Sequence, residues 1–360
     1  MSDEPSDATA TAPAEVERGR GFAARWSAFR DREFSTVVVM SLGVLVFPAV
    51  FNSLLDGYNQ LATLMLIWGI FAVGFDILLG YTGLLSFGHA VFWGGAAYVA
   101  GIFSASVSSD PLLVILAGTV FAVLLSVVVG SLSLRRGGIY FAILTLTIGQ
   151  MAFYLATSPL AFLTNGENGF TSVDIGPLFG VLDLHQQLPG AFGMLPGNTL
   201  YLFVCVLSVA AVAAANRILH SPYGIVFRAI RENERRAEFV GLDVWRYKLM
   251  AFVISAAFAG VAGSLFTIEG NYVPLDSLYW TTSGEVVIMT ALGGVGSLFG
   301  PLLGAGVYLY IEFIVSGMEV IGPFWHLILG AVFVLVIVLF PAGIWGSVEA
   351  ARDALAGGED

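Results

Sequence analysis

Residues 220–248 read HSPYGIVFRAIRENERRAEFVGLDVWRYK, the one long polar interruption in an otherwise apolar chain. The stretch holds six of the chain's 15 Lys and Arg residues: Arg228, Arg231, Arg235, Arg236, Arg246 and Lys248. Apolar segments flank it on both sides, each about the 20 residues that cross a bilayer as a helix. A charged, helix-forming loop inside such a pattern predicts an all-α polytopic membrane protein with one loop built to meet something soluble.

Composition agrees. The chain is 57% hydrophobic and only 11% charged, with mean hydropathy +0.86. A soluble domain carries about a quarter charged residues. Apolar runs lie near 36–55, 60–79, 84–105, 112–134, 138–159, 199–219, 248–268, 283–299, 301–317 and 322–341, so about ten spans are expected. The third and eighth are short or Gly-rich, which suits bent or re-entrant segments.

The basic residues orient the chain. Arg18, Arg20, Arg25, Arg30 and Arg32 precede the first span, Arg135 and Arg136 follow the fourth, and Arg217 to Lys248 follow the sixth. Arg352 follows the last, and the connectors 56–59, 106–111, 160–198, 269–281 and 318–321 contain no Lys or Arg. By the positive-inside rule, both termini and the 220–248 loop are expected in the cytoplasm and 160–198 outside. The net charge of −11 does not bear on that rule, which counts Lys and Arg alone. Residues 1–35 then form a disordered acidic and basic tail, 36–346 the transmembrane domain and 347–360 a second tail.

The 220–248 loop divides into two short helices. Ser221 before Pro222 is a helix start, with the proline at the first helical position. Val226, Phe227 and Ile230 share a face. Asn233 can cap a second piece that stops at Gly241, where glycine tolerates a left-handed backbone. Arg231, Glu232, Glu234, Arg235 and Arg236 make a charged knee between the two. Such a loop can lie on anionic headgroups, but two capped helices with apolar residues left over favour a docking element. The external connector 160–198 has the turn Asn165, Gly166, Asn168, Gly169 and three prolines, and reads as a second docking surface or a lid.

Motifs for chemistry are absent. A P-loop needs a Lys among its glycines, and the chain's lone lysine, Lys248, stands between Tyr247 and Leu249. His-Glu-x-x-His and Gly-x-Ser-x-Gly are missing, and the single Cys205 excludes a disulfide framework. No cofactor is expected on this chain, nor any nucleic-acid partner. Glycine is the conspicuous usage, 43 in all, with one cluster in each half. The first runs through Gly80, Gly83, Gly88, Gly94 and Gly95, and the second through Gly293, Gly294, Gly296, Gly300, Gly304 and Gly306. Small residues let helices approach closely in lipid and permit broken helices beside a pathway. Asp76, His89, Glu285 and Glu312 are the ionisable groups within spans, expected to face the interior, an interface or water. His89 suits either a packed, hydrogen-bonded role or a path lining.

Several stretches together resemble the LivM-type permeases, the membrane subunits of ATP-driven branched-chain amino acid importers. They are GYTGLLSFGHAVFWGGAAY at 80–98, LRRGGIYFAILTL at 134–146 running on to Gln150, and NGENG at 165–169. The others are SPYGIVFRAIRENERRAEFVG at 221–241 and LGGVGSLFGP at 292–301. The resemblance covers 36–346 in the same order. It implies a multi-pass plasma-membrane protein with a type II ABC importer permease fold, working beside a second, LivH-like permease. It further implies two ATPase subunits, which hold the ATP and Mg, and an extracytoplasmic substrate-binding protein.

On that resemblance the coupling loop comprises Ser221, Pro222, Gly224, Phe227, Arg228, Ala229, Ile230, Arg231, Glu232, Glu234, Arg235, Arg236, Ala237, Glu238 and Gly241. The wider importer signature has Glu-Ala-Ala, three residues and a Gly. Here Arg235 and Arg236 replace its first two positions, and Ala237 and Gly241 are kept. Pathway candidates are Tyr81, Gly83, Ser86, Gly88, His89, Thr145, Gln150, Glu285, Gly294, Gly296 and Ser297. The expected cargo is Leu, Ile or Val moved inward by alternating access. Related permeases for urea, short amides or other amino acids share the motifs. A stand-alone channel or ion-coupled carrier is the alternative from another class.

Overall fold

The computed structural model describes residues 59–135, 137–184, 186, 199–318, 324–340 and 342–347. The expected first span at 36–55, the tail 1–35, nearly all of 347–360 and residues 187–198 of the external connector lie outside the described residues.

The order is α1 (Asn59–Thr82), α2 (Ala90–Ser106), α3 (Pro111–Ser133), α4 (Ile139–Thr157), the single turn α5 (Ala161–Thr164) and α6 (Thr199–Leu219). Then come α7 (Pro222–Glu232), α8 (Glu234–Phe239), α9 (Val244–Gly270), α10 (Trp280–Gly293), α11 (Gly300–Ser316) and α12 (Trp325–Leu339). No strand occurs among the described residues. Six stretches are long and apolar enough to cross a membrane: 60–82, 111–133, 139–157, 199–219, 244–270 and 325–347. The helices α2 and α11 are apolar but shorter, at 17 residues each, and α10 has 14.

The third and eighth runs are broken, as their glycines lead one to expect, but their helices cover 90–106 and 280–293 rather than 84–105 and 283–299. The apolar run from 84 is not helical at its start, because Gly83 takes φ +74 and ends α1. Residues 83–89 then climb back into the bundle without helical structure. The run 283–299 is likewise cut at Gly294, φ +124, so α10 covers 280–293 and a turn carries the chain to α11.

Side-chain contacts show how deep α2 begins. His89, just before it, bonds Ser255, which lies eleven residues into α9 (244 to 255), about 16 Å along that helix at 1.5 Å per residue. Ser283 in the first turn of α10 accepts the backbone N–H of Ala90 at 2.8 Å. The two short helices therefore start from a common junction inside the bundle. From there α2 runs to the end formed by 107–110, 158–184 and 271–274, where Phe170 pairs with Val273. In contrast α10 runs to the end where Arg231 meets Gly80.

Around this junction the core is aromatic and tightly spaced. Trp93 stacks on Phe71 at a centroid distance of 4.9 Å and tilts against Trp68 at 4.7 Å. The closest helix approaches use small residues. A Cβ added at Gly263 of α9 would strike the Trp93 backbone, and one at Gly118 of α3 would strike Ser264 and Ala96. In lipid, where burial gives little drive, such van der Waals contact holds helices together. The helices α1 and α9 are the inner ones. Around them, α3, α4 and α12 present aliphatic side chains outward, among them Leu116, Leu124, Val128, Ile143, Met151, Leu327, Val334 and Val338, a surface suited to hydrocarbon.

Candidate functional site

The polar loop folds into α7 and α8. The first starts where the Ser221–Pro222 pair predicts, with Ser221 in extended backbone and Pro222 at the first position. The serine hydroxyl, however, turns back to donate to the Ile218 carbonyl at 2.6 Å rather than capping. Asn233 does cap α8, its side-chain oxygen accepting the Arg236 N–H at 3.0 Å. At the far end Gly241 takes φ +89, while Gly241 N–H donates to the Glu238 carbonyl and Leu242 N–H to the Ala237 carbonyl. That is a Schellman stop, and its left-handed residue explains why a glycine stands there.

The helix pair has two faces. Gly224, Phe227, Ile230 and Ala237 are buried against the bundle, with Ile230, Ala237 and Val244 forming a small core of their own. On the other face Tyr223, Ile225, Phe239 and Val240 are exposed, Phe239 by 90% and Val240 by 78%. Ala229 is half-buried, while Glu232, Arg235, Arg236 and Glu238 are exposed. A cleft lined by Tyr223, Gly241, Leu242, Asp243, Arg246, Tyr247 and Met250 opens beside the Schellman turn.

Three cationic side chains tie the pair to different helices. Arg228 Nη2 donates to the Leu219 carbonyl at the end of α6 at 2.9 Å, and its guanidinium lies 5.9 Å from the Tyr81 ring centroid. Arg231 Nη1 donates to the Gly80 carbonyl in the last turn of α1. Lys248, near the start of α9, pairs with Glu234 of α8 at 2.5 Å; the lysine side chain is 9% exposed and the glutamate's 49%. The sequence marks these residues as charged but not their partners, which lie on other elements.

The pathway candidates fall into two groups. At the loop end, Tyr81 is buried, Gly83 sits against the Arg231 side chain, and the Gly294–Ser297 turn closes on itself. Ser297 Oγ donates to the Gly294 carbonyl at 2.7 Å and accepts the Gly300 N–H at 3.1 Å. Gly296 N–H donates to both carboxylate oxygens of Asp76, at 2.9 and 3.1 Å.

Inside the bundle, His89 bonds Ser86 Oγ through Nδ1 and Ser255 Oγ through Nε2, both at 2.9 Å. Phe75, Phe92 and Phe252 present ring edges or faces to it at 4.9–5.4 Å, and it is fully buried. Thr145 of α4 accepts the Phe87 N–H at 3.2 Å and donates to the Ala142 carbonyl at 2.9 Å. Gly88 packs directly on the Thr145 backbone. Gln150 is half-buried further along α4, and Glu285 is half-buried on α10, within electrostatic reach of Glu312. Ser255 and Ser283 were not singled out from the sequence. Serines in apolar helices carry no mark distinguishing a packing residue from a ligand of a buried histidine or a helix start.

Chemically, this arrangement offers two hydrogen-bonded junctions linked by a short helix, and a mixed apolar and charged surface at one end. Among the described residues no group of three or more His, Cys, Asp or Glu could hold a metal ion.

The comparisons with known proteins agree with one another. A family model described as the permease component of branched-chain amino acid transport systems matches residues 57–337. The high-affinity branched-chain amino acid transport system permease protein LivM of Escherichia coli K12 is 31% identical over 302 residues, 80% of this chain and 70% of that protein. A probable LivM permease of Methanocaldococcus jannaschii is 22% identical over 336 residues, 79% of this chain and 93% of that protein. The LivH permease of the E. coli system is 24% identical over 295 residues, 78% of this chain and 92% of that protein. An all-helical bundle with apolar spanning helices and a family match over most of its length identifies the chain as an integral membrane protein, a LivM-type member of the branched-chain amino acid transport permeases.

Proposed function

We propose that this chain is the permease subunit of an ATP-driven importer of branched-chain amino acids, with ATP and Mg bound by separate ATPase subunits that dock on α7 and α8. The observation that carries this reading is the exposed apolar face of that pair, with Tyr223, Ile225, Phe239 and Val240 standing among Arg and Glu side chains. Large apolar side chains clustered on a polar surface indicate a binding site.

Supporting the orientation, every described Lys and Arg lies at the α7–α8 end of the bundle: Arg135, Arg217, Arg228, Arg231, Arg235, Arg236, Arg246 and Lys248. That end is then cytoplasmic by the positive-inside rule, where ATP is. Counting the expected span at 36–55 and the short helices as crossings, the path has ten spans with both termini inside, as a type II importer permease would. The paired short helices, starting from one interior junction and leaving in opposite directions, suit a bundle that opens alternately to either side.

In this mechanism ATP binding shifts the ATPase pair, the coupling helices follow, and the bundle changes which side it opens to. A ligand biases such an equilibrium only through unequal affinity for the two states, so the permease holds its cargo weakly and an external binding protein sets selectivity. The 160–184 connector offers that protein exposed Phe162, Phe179 and Val181. The names of the relatives favour leucine, isoleucine and valine as cargo, and a second, LivH-like permease as partner. Urea, short amides or other amino acids are the competing cargoes.

The test is capture of the ATPase subunits by the purified permease. Phe239→Glu places a charge on the docking face without touching the bundle, and abolishes capture while insertion stays normal. Capture at wild-type level by Phe239→Glu and Val240→Glu together would assign the pair to lipid headgroups instead.

A further inference from the structure

We propose that Arg231 is the positioning residue that passes movement of α7 and α8 into the membrane interior, by way of the end of α1 and the Gly294–Ser297 turn. The inference rests on the reading of the pair as the ATPase dock and names the contact through which docking acts.

Arg231 is an exposed residue whose side chain reaches the Gly80–Gly83 end of α1 and the turn after α10. Its guanidinium donates to the Gly80 carbonyl, one of the last-turn carbonyls of α1 that have no helical partner, at the end where the helix dipole favours a cation. One turn earlier on the same helix, Asp76 is 2% exposed and accepts the Gly296 N–H with both oxygens. The Arg231 charge is within electrostatic reach of that carboxylate. The loop, through the Arg231–Gly80 hydrogen bond, and the turn, through the Gly296–Asp76 hydrogen bond, are thus both held by the last turns of α1.

The contact is close as well as charged. Gly296 holds φ +85, and a Cβ there would stand 3.0 Å from Arg231 Nη1. The guanidinium thus passes directly over the turn. That turn ends α10, whose other end carries Ser283, the acceptor for the first N–H of α2. A rigid helix of 14 residues spans about 21 Å. A shift of Arg231 therefore reaches the interior junction by one hydrogen-bonded, packed route: Gly80 and Asp76, Gly296, α10, Ser283 and Ala90. Arg235 and Arg236 are exposed as well; of the three arginines it is Arg231 whose side chain meets Gly80 and Gly296.

The experiment uses the complete complex, with both permeases, the ATPases and the binding protein, in proteoliposomes. It measures ATP hydrolysed per leucine imported. Arg231→Ala is expected to capture the ATPases as wild type does while this ratio rises about tenfold or more, the scale of a lost charge-assisted hydrogen bond. Arg231→Lys, which keeps the charge and a donor, is expected to restore most of the coupling. In a double-mutant cycle, Asp76→Asn is expected to add little once Arg231 is gone. Should Arg231→Ala not accumulate, Arg231→Gln keeps a donor without the charge, and is expected to uncouple partly.

An unchanged ratio in Arg231→Ala or Arg231→Gln would overturn the inference, and so would loss of ATPase capture, which makes Arg231 a docking residue. If the wild-type complex imports without ATP, the coupled-import reading itself fails. ATP-driven wild-type import with a fully coupled Arg231 variant sinks the transmission role alone.

Discussion

The carboxylate of Asp76 and the backbone N–H of Gly296, 220 positions apart in the chain, are hydrogen-bonded at 2.9 Å, with the second carboxylate oxygen at 3.1 Å. This bond ties the last turns of α1 to the turn after α10. It accounts for a buried aspartate in an otherwise apolar helix, and for the left-handed glycine that turns its N–H towards it.

Replacing Asp76 by Ala leaves the Gly296 N–H without its acceptor. A buried donor stranded in this way costs about 1–3 kcal/mol. Asp76→Asn retains an acceptor oxygen, and is expected to lose less than half as much. Thermal unfolding of the two purified variants in one detergent checks the order. Equal midpoints for Ala and wild type would remove the bond from the account.

His89 is satisfied on both ring nitrogens and enclosed by phenylalanines, the environment of a packing residue. His89→Ala opens a cavity and takes the ring partner from Ser86 and Ser255, a loss of about 2–5 kcal/mol. The expected phenotype is low accumulation and a lowered unfolding midpoint. In the protein that does fold, the relative uptake of leucine, isoleucine and valine is unchanged. A large change in that preference without loss of stability would make His89 part of the path.

The ion pair between Lys248 and Glu234 is unequally buried. Removing Glu234 leaves a mostly buried ammonium, whereas Lys248→Met replaces it with an apolar chain of similar length. Breaking a buried pair on one side is the costlier change, about 3 kcal/mol at the upper end for a half-exposed partner. Glu234→Ala is therefore expected to destabilise more than Lys248→Met, and the double variant to resemble Lys248→Met. Denaturation of the three variants decides this, and the reverse order would contradict it.

At Gly263 a side chain has no room, since even a Cβ meets the Trp93 backbone. Gly263→Val is expected to prevent accumulation of folded permease, while Gly284→Ala, at an open position of α10, stays within about 0.5 kcal/mol of wild type, the range of substitutions away from packed features. Gel-filtration profiles of fluorescently tagged variants report both.

Much of this architecture was legible locally. The Ser221–Pro222 start, the Asn233 cap and the Gly241 stop each act through residues one to five positions away, so the sequence carries them openly. Hydropathy marks the long helices because lipid demands about 20 apolar residues in a row. It misplaces α2 and α10, however, since apolar composition continues through 83–89 and 294–299 while the backbone does not. The glycines there hint at a break without giving its depth. That depth follows from pairs such as His89 with Ser255 and Ala90 with Ser283, separated by 166 and 193 positions. No local pattern encodes such pairs. The same holds for Arg231 and Gly80: a charged knee is readable, but not which of its arginines reaches the end of α1. The grouping of the pathway candidates was likewise hidden, because Tyr81 and Gly83 join the loop end while Ser86 and His89, a few residues on, belong to the interior.

The most direct measurement is leucine uptake by proteoliposomes holding this chain alone, or holding it with the second permease, the ATPases and the binding protein. The account predicts no uptake by the chain alone, ATP-dependent uptake by the complex, and loss of both capture and uptake in Phe239→Glu. Uptake by the chain alone, indifferent to ATP and to Phe239→Glu, would contradict it.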